Sequence, residues 1–107
     1  MAPRIVVVGS LNMDLVIKTP RIPGVGETVL GEEFHTFPGG KGANQAVASA
    51  LLGAEVFMVG RVGRDSFGRE LLESLTSKQV DTRFFLEDPA HATGVAFIAV
   101  DGAGNNA

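Results

Sequence analysis

Short, continuous runs of apolar residues alternate along this chain with stretches in which apolar positions recur every three or four residues. The run Arg4–Val8 is rich in β-branched residues and ends at Gly9. This pattern predicts a strand buried on both faces of a parallel sheet. Val56–Val59 has the same character and predicts a second buried strand.

Two stretches between and after these runs predict amphipathic helices. In the first, the residues with the spacing of one helix face are Ala43, Ala46, Val47, Ala50 and Leu51. Gly53 follows where a C-terminal cap belongs. The second helix begins at Asp65 or Ser66, either of which can cap it. Its apolar face consists of Phe67, Leu71, Leu72 and Leu75. The alternation of strand and helix predicts an α/β fold with a right-handed crossover and a parallel sheet.

The remaining apolar segments predict strands of another kind. Asp14–Thr19 is followed closely by prolines and glycines, and 27–37 resumes as broken β segments. Proline and glycine at this density are typical of edge strands and turns. Thr82–Leu86 and Thr93–Val100 also predict strands, and the second is followed by the turn-forming segment 101–105. Since such a hairpin needs a return strand, we expect these 107 residues to be the front part of a larger protein.

Composition and charge narrow the classes of function. A chain of 107 residues with 45% hydrophobic content suits one compact domain with an ordinary core. The net charge is −3 and no basic run is present, which argues against a nucleic-acid partner. The absence of cysteine excludes disulfides and thiolate metal sites, and no apolar run has a membrane-spanning length. We therefore expect a cytoplasmic protein without a membrane partner.

A glycine-rich turn, Gly39–Ala46, leads into the first helix. Lys41 and Asn44 lie at the start of this helix. Glycines let the backbone approach a ligand, and the first turn of a helix offers unpaired N–H groups. The spacing does not fit a P-loop, which would need glycine in place of His35, nor the dinucleotide motif, which would need glycine in place of Gln45. The turn therefore predicts binding of a small polar molecule rather than a nucleotide.

A second polar group, Asn12 and Asp14, follows the first strand. Ligands of parallel α/β sheets bind beyond the carboxyl ends of the strands. Because a carboxylate accepts hydrogen bonds from vicinal hydroxyls and a carboxamide both donates and accepts, these two residues and Asn44 form a set suited to a sugar. The alternative is that Asn12 and Asp14 only shape a turn and that Asn44 stabilises the start of the helix.

Other polar residues indicate no chemistry of their own. His35 and His91 lie far apart in the chain without the spacing of metal ligands. The segment 61–65 predicts a solvated loop and a helix cap. No serine, histidine and aspartate are placed together by the pattern, so a hydrolase is not supported.

Five segments resemble, in their order along the chain, the ribokinase-like carbohydrate kinases. They are Asn12–Asp14, Pro23–Thr28, Gly39–Ala48, Gly60–Asp65 and Thr93–Ala96. The resemblance covers essentially the whole chain, and the third segment is most similar to the ribokinases within that family.

The resemblance implies a Rossmann-like three-layer α/β/α sugar-kinase domain, incomplete in this chain, with a small β-sheet lid. The lid strands would lie near 13–37 and 93–105, and the core sheet and helices near 4–9 and 40–90. It also implies a homodimer that forms through the lid. The substrate-binding residues that it implies are Asn12, Asp14, Lys41 and Asn44 for the hydroxyls of ribose, Gly39 and Gly40 for backbone approach, and Met13 and Ala96 for apolar contact.

The implied reaction transfers the γ-phosphate of ATP to the 5-hydroxyl of D-ribose, with Mg²⁺ and K⁺. The family's catalytic aspartate belongs to a Gly-Ala-Gly-Asp motif at a helix start. Here Gly102–Asn105 carries asparagine, which cannot accept a proton as a carboxylate does. We therefore expect the catalytic, cofactor and metal sites beyond this segment, and an isolated chain that binds sugar poorly and transfers no phosphate. A kinase for another sugar or a nucleoside, a non-catalytic sugar-binding or dimerising module, and a nicotinamide-dependent dehydrogenase remain as alternatives.

Overall fold

The computed structural model describes residues 2–107, which form two compact units. Unit 1 contains the residues up to Met13 together with Pro38–Gly94, and unit 2 contains Asp14–Phe37 together with Val95–Ala107. The elements in chain order are β1 (Arg4–Val8), β2 (Asn12–Lys18), β3 (Glu33–Gly39), α1 (Lys41–Leu51), β4 (Glu55–Val59), β5 (Arg61–Gly63), α2 (Ser66–Ser77), β6 (Val80–Asp81), β7 (Leu86–Asp88) and β8 (Val95–Val100).

Unit 1 is built on a parallel sheet with the strand order β1-β4-β6. Helix α1 packs against all three strands, and α2 packs against β6 and β5. Buried side chains of this helix–sheet core include Ala46, Val56, Met58, Leu71, Leu75 and Val80. The α/β fold with a parallel sheet, predicted from the alternating apolar patterns, is confirmed.

The burial of β1 differs from the prediction that both of its faces are covered. Val6 and Val8 are 61% and 78% exposed. Val6 lies beside Phe57 in the parallel register. Because side chains alternate along a strand, Val6 and Val8 share the face opposite to Val56 and Met58, which are buried. The described part of the expected three-layer domain is therefore a sheet whose second face is open at β1.

Both helices end or begin where local signals place them. Gly53 has a φ of 98° and donates its N–H to the Ala50 carbonyl at 3.0 Å, which ends α1 as predicted. Of the two candidate caps of α2, Asp65 is the cap, since its Oδ1 accepts the Gly68 N–H at 2.8 Å. Leu51, predicted on the apolar face of α1, is exposed instead.

The predicted strand Thr82–Leu86 is wrong. Oδ1 of Asp81 accepts the N–H of Arg83 at 2.9 Å, and the Phe85 N–H donates to the Thr82 carbonyl at 3.0 Å. These bonds make a turn between β6 and β7, because an aspartate side chain can bind the backbone two residues on. The expectation of a solvated loop over 61–65 is also wrong in part, since β5 pairs in parallel with β7.

Unit 2 contains the greater part of a three-stranded sheet with the order β3-β2-β8. Of the broken β segments expected over 27–37, a strand forms only from Glu33 onward. After β8 the predicted turn is present: the Asp101 N–H donates to the Asn105 carbonyl at 3.0 Å. Ala99 and Ala107 then exchange two backbone hydrogen bonds, of 2.9 and 3.0 Å, across this turn.

Acid is expected to weaken the hydrogen bonds by which Asp65 holds Thr93 and the start of α2. Hydrogen bonds from Thr93 and Gly68 hold the pKa of this carboxyl below its ordinary value. The folded state thus binds this proton more weakly than the unfolded chain. The stabilisation is therefore complete above the unfolded pKa, about 4, and is lost as the pH falls through the lower folded pKa.

Urea unfolding of the unsubstituted protein and Asp65→Asn at several pH values checks this expectation. The variant should be less stable at neutral pH, and the difference should shrink below about pH 4. A difference that stays constant across this range would show that the charge of Asp65 contributes nothing.

Candidate functional site

The glycine-rich turn lies directly against the chain segment that follows β1. Gly40, the N-cap of α1, has a φ of 101°. A Cβ at this position would clash with the Ser10 carbonyl oxygen and would lie 2.9 Å from its carbonyl carbon. A Cβ on Gly42 would lie 2.8 Å from both the Gly9 Cα and the Ser10 nitrogen. Because real Cβ atoms do not approach backbone this closely, only glycine allows the two segments to meet here.

Hydrogen bonds keep the start of α1 in this place. The Ala43 N–H donates to the Ser10 carbonyl at 3.1 Å, and the Asn44 N–H donates to the Gly40 carbonyl at 3.0 Å. Gly40 offers no side chain to cap the helix. The N-terminal turn of an α-helix carries a partial positive charge, which favours oxygen-rich ligands. The first turn of α1 therefore suits a small polar ligand.

Most of the predicted substrate-binding residues belong to unit 1 and cluster in two segments. The glycine-rich turn contributes Gly39, Gly40, Lys41 and Asn44, and the segment after β1 contributes Asn12 and Met13. The side chains of Lys41 and Asn44 are exposed, and Asn12 is half-buried. The Ser10 carbonyl ties the second segment to the first turn of α1.

Three predicted residues are either inaccessible to solvent or belong to the other unit. Met13 is only 1% exposed and belongs to the core. Asp14 on β2 and Ala96 on β8 belong to unit 2, where both are half-buried and lie on neighbouring strands. The sugar contacts of these three residues, like those of the other five, stay predictions.

The structure adds Gly9 and Ser10 to the candidate site, neither of which the sequence assigned to it. Gly9 follows β1 directly, and a Cβ there would lie 2.9 Å from the Gly42 Cα. The signal that could have identified them is the pairing of a glycine after the first strand with a second glycine at the helix start. Each allows the other's backbone to come close.

An apolar groove between α1 and α2 is a separate feature of unit 1. It encloses about 200 Å³. Its lining is largely aliphatic, with Asn44, Ser74 and Lys78 as the polar and charged side chains. A polyol needs several converging hydrogen-bonding groups, so this groove suits it less well than the start of α1.

Two features are absent from the residues that the structure describes. Among residues 2–107, no three acidic or histidine side chains lie together in a set that could hold a metal ion. No helix in the same range is long and apolar enough to cross a membrane.

Comparison with known proteins gives matches along the whole chain. Residues 2–107 match the pfkB family of carbohydrate kinases. The chain is 52% identical over 97 residues to a ribokinase of Bacillus subtilis (strain 168), and the match covers 90% of this chain and 33% of that protein. It is 39% identical over 102 residues to a deoxyribokinase of Salmonella typhi, and the match covers 95% of this chain and 33% of that protein.

Among solved structures, the ribokinase of Arabidopsis thaliana complexed with ribose and ATP is similar to this chain with a TM-score of 0.91 at 37% identity. The match covers 100% of this chain and 35% of that one. The chain thus spans about a third of the length of the curated relatives that it matches.

Proposed function

Because the chain belongs to the pfkB family of carbohydrate kinases, we propose that it forms the sugar-binding third of an ATP-dependent ribokinase. The whole enzyme transfers the γ-phosphate of ATP to the 5-hydroxyl of D-ribose. The observation that carries this proposal is the tightly held start of α1, with Lys41 and Asn44 exposed on it. It occurs in a chain whose fold is that of a ribokinase complexed with ribose and ATP.

Each proposed contact follows from the chemistry of the residue. The carboxylate of Asp14 accepts hydrogen bonds from ribose hydroxyls, and Lys41 donates them. The carboxamides of Asn12 and Asn44 do both. Gly39 and Gly40 let the backbone approach the sugar, and Met13 and Ala96 supply apolar contact. These residues hold and orient the ribose, and none of them acts as the base.

The chemical step needs groups that these residues do not supply. Phosphoryl transfer requires a base near the attacking hydroxyl and a metal ion that neutralises charge on the phosphates. In this chain Gly102–Asn105 lies in an exposed turn after β8, not at the start of a helix. We place the base and the sites for ATP, Mg²⁺ and K⁺ in the part of the kinase that this chain does not match.

The lid, the dimer and the location belong to the same proposal. Unit 2, with strands near 13–37 and 93–105, would form the lid of a single domain. Phe34, Val95 and Phe97 of this unit are large apolar side chains that are more than half exposed in this chain, and in this proposal a second copy covers them. A monomeric mass of the whole kinase in sedimentation equilibrium would contradict the dimer. We place the enzyme in the cytoplasm, where ATP is available.

Substrate comparison with the whole kinase tests the function. We expect ATP-dependent phosphorylation of ribose with a higher kcat/KM than that of 2-deoxyribose, fructose or adenosine. 2-Deoxyribose is the second candidate, since the chain is also similar to a deoxyribokinase. A preference for another of these substrates would reassign the specificity. Sugar binding without phosphate transfer would favour a non-catalytic module.

The isolated 107-residue chain provides a second test. We expect no transfer of phosphate from ATP to ribose, because the chain presents sugar-binding groups without the proposed base. A coupled assay for ADP release, with the whole kinase as the positive control, measures this. Ribose-dependent ADP release by the chain alone would contradict the division of roles.

A further inference from the structure

Asp65 makes more hydrogen bonds than the cap of a helix requires. Capping needs one side-chain oxygen, and here Oδ1 accepts the Gly68 N–H at 2.8 Å. The same oxygen accepts the hydroxyl of Thr93 at 2.6 Å, and Oδ2 accepts the Thr93 N–H at 2.9 Å. Two of the three bonds therefore tie α2 to a residue 28 positions along the chain.

Thr93 is held from the other side as well. It is 6% exposed, and its hydroxyl oxygen accepts the Gly63 N–H at 2.9 Å. A Cβ on Gly63 would lie 2.5 Å from the His91 carbonyl oxygen and 2.6 Å from the Thr93 nitrogen. A Cβ on Gly68 would clash with the Gly63 carbonyl oxygen. Since glycines let these backbones pack closely, Thr93 has little freedom to move.

The next residue connects this cluster to the candidate sugar site. The carbonyl of Gly94 accepts the Met13 N–H at 2.9 Å. A Cβ on Gly94 would lie 3.7 Å from the Cβ of Asn12, which is ordinary contact distance. Thr93 and Gly94 thus lie alongside Asn12 and Met13, and all of these residues belong to unit 1.

We propose that Asp65 is a positioning residue for sugar binding, which acts through Thr93 and Gly94 to fix the start of β2 and with it the side chain of Asn12. This inference rests on the proposed function, because Asn12 is one of the proposed ribose contacts. Asp65 itself does not touch the substrate in this proposal. Its effect therefore appears in the affinity for ribose and not in the affinity for ATP.

Asp65→Asn separates the two roles of this residue. Asparagine caps helices about as well as aspartate, so the cap of α2 is retained. The amide nitrogen, however, then replaces Oδ2 and meets the backbone N–H of Thr93, so that donor faces donor. Thr93→Val removes the hydroxyl at nearly constant shape, and Thr93→Ser restores it. Asp81→Asn is the matched control, since Asp81 also binds backbone and a neighbouring side chain but only within its own turn.

The experiment measures KM for ribose, KM for ATP and kcat of the whole kinase, together with amide exchange of Met13. We expect Asp65→Asn and Thr93→Val to raise the KM for ribose about 10-fold. The KM for ATP should change by less than about twofold, as should all parameters of Thr93→Ser and Asp81→Asn. The Met13 amide should exchange faster in the first two variants only.

Two results would overturn the inference. One is an unchanged KM for ribose in Asp65→Asn and Thr93→Val. The other is an equal effect on ribose and ATP that Thr93→Ser does not reverse, because this pattern indicates general loss of stability. If the unsubstituted kinase does not phosphorylate ribose, the proposed function fails instead. The exchange of the Met13 amide then still decides whether Asp65 holds this segment.

Discussion

Gly40→Ala should lower the free energy of unfolding by more than about 2 kcal/mol and abolish sugar binding. Two effects add at this position. The φ of 101° is strained for any residue with a side chain, and the new Cβ would meet the Ser10 carbonyl group. Since the clash is with backbone, it can be relieved only by moving α1 away from the segment that follows β1. Lys41 and Asn44 would move with the helix.

Two other glycines separate these effects. Gly53 has a φ of 98° but open space where a Cβ would be, so Gly53→Ala measures the strain alone, about 1–2 kcal/mol. Gly24 has open space without a positive φ, so Gly24→Ala should change stability by less than about 0.5 kcal/mol. Urea unfolding and ribose titration of the whole kinase, carrying each of the three substitutions in turn, measure the loss of stability and the loss of sugar binding. A Gly40→Ala variant as stable as Gly53→Ala would contradict the close approach to Ser10.

Asp14→Ala should weaken ribose binding in the whole kinase by about 1.5–3 kcal/mol for each hydrogen bond that is lost, or roughly 10- to 150-fold in Kd. The reason is that, in the proposed site, the carboxylate that accepts hydrogen bonds from sugar hydroxyls is replaced by a methyl group that accepts none. Asp14→Asn keeps the size and one acceptor oxygen, so its loss of affinity should be smaller. Isothermal titration with ribose measures each Kd.

Asp101→Ala is the matched control for this prediction. Asp101 is also a half-buried carboxylate of unit 2 and is not one of the proposed ribose contacts. Its oxygens accept hydrogen bonds from its own turn, at Ala103 and Asn105. Its replacement should leave the Kd for ribose unchanged within about twofold. Equal weakening in Asp14→Ala and Asp101→Ala would indicate loss of unit 2 structure and would remove Asp14 from the proposed site.

Elements with strong local signals could be predicted from the sequence. Gly53 ends α1 and Asp65 begins α2 because caps depend on residues within one turn of the helix end. The continuous apolar runs at β1 and β4 predicted their parallel pairing. By contrast, Thr82–Leu86 was predicted as a strand, although the side chain of Asp81 accepts the Arg83 N–H and makes this segment turn.

The glycine-rich turn was evident in the sequence, and a small polar ligand could be predicted for it, because glycine spacing and side-chain chemistry are local properties. That Gly40 must remain glycine against Ser10, and that Asp65 holds Thr93, was decided by the tertiary structure. Residues 28 or more positions apart meet only when the sheet and helices bring their backbones together. No periodicity of apolar residues records such a meeting, since it depends on the packing of whole elements and not on neighbours in the chain.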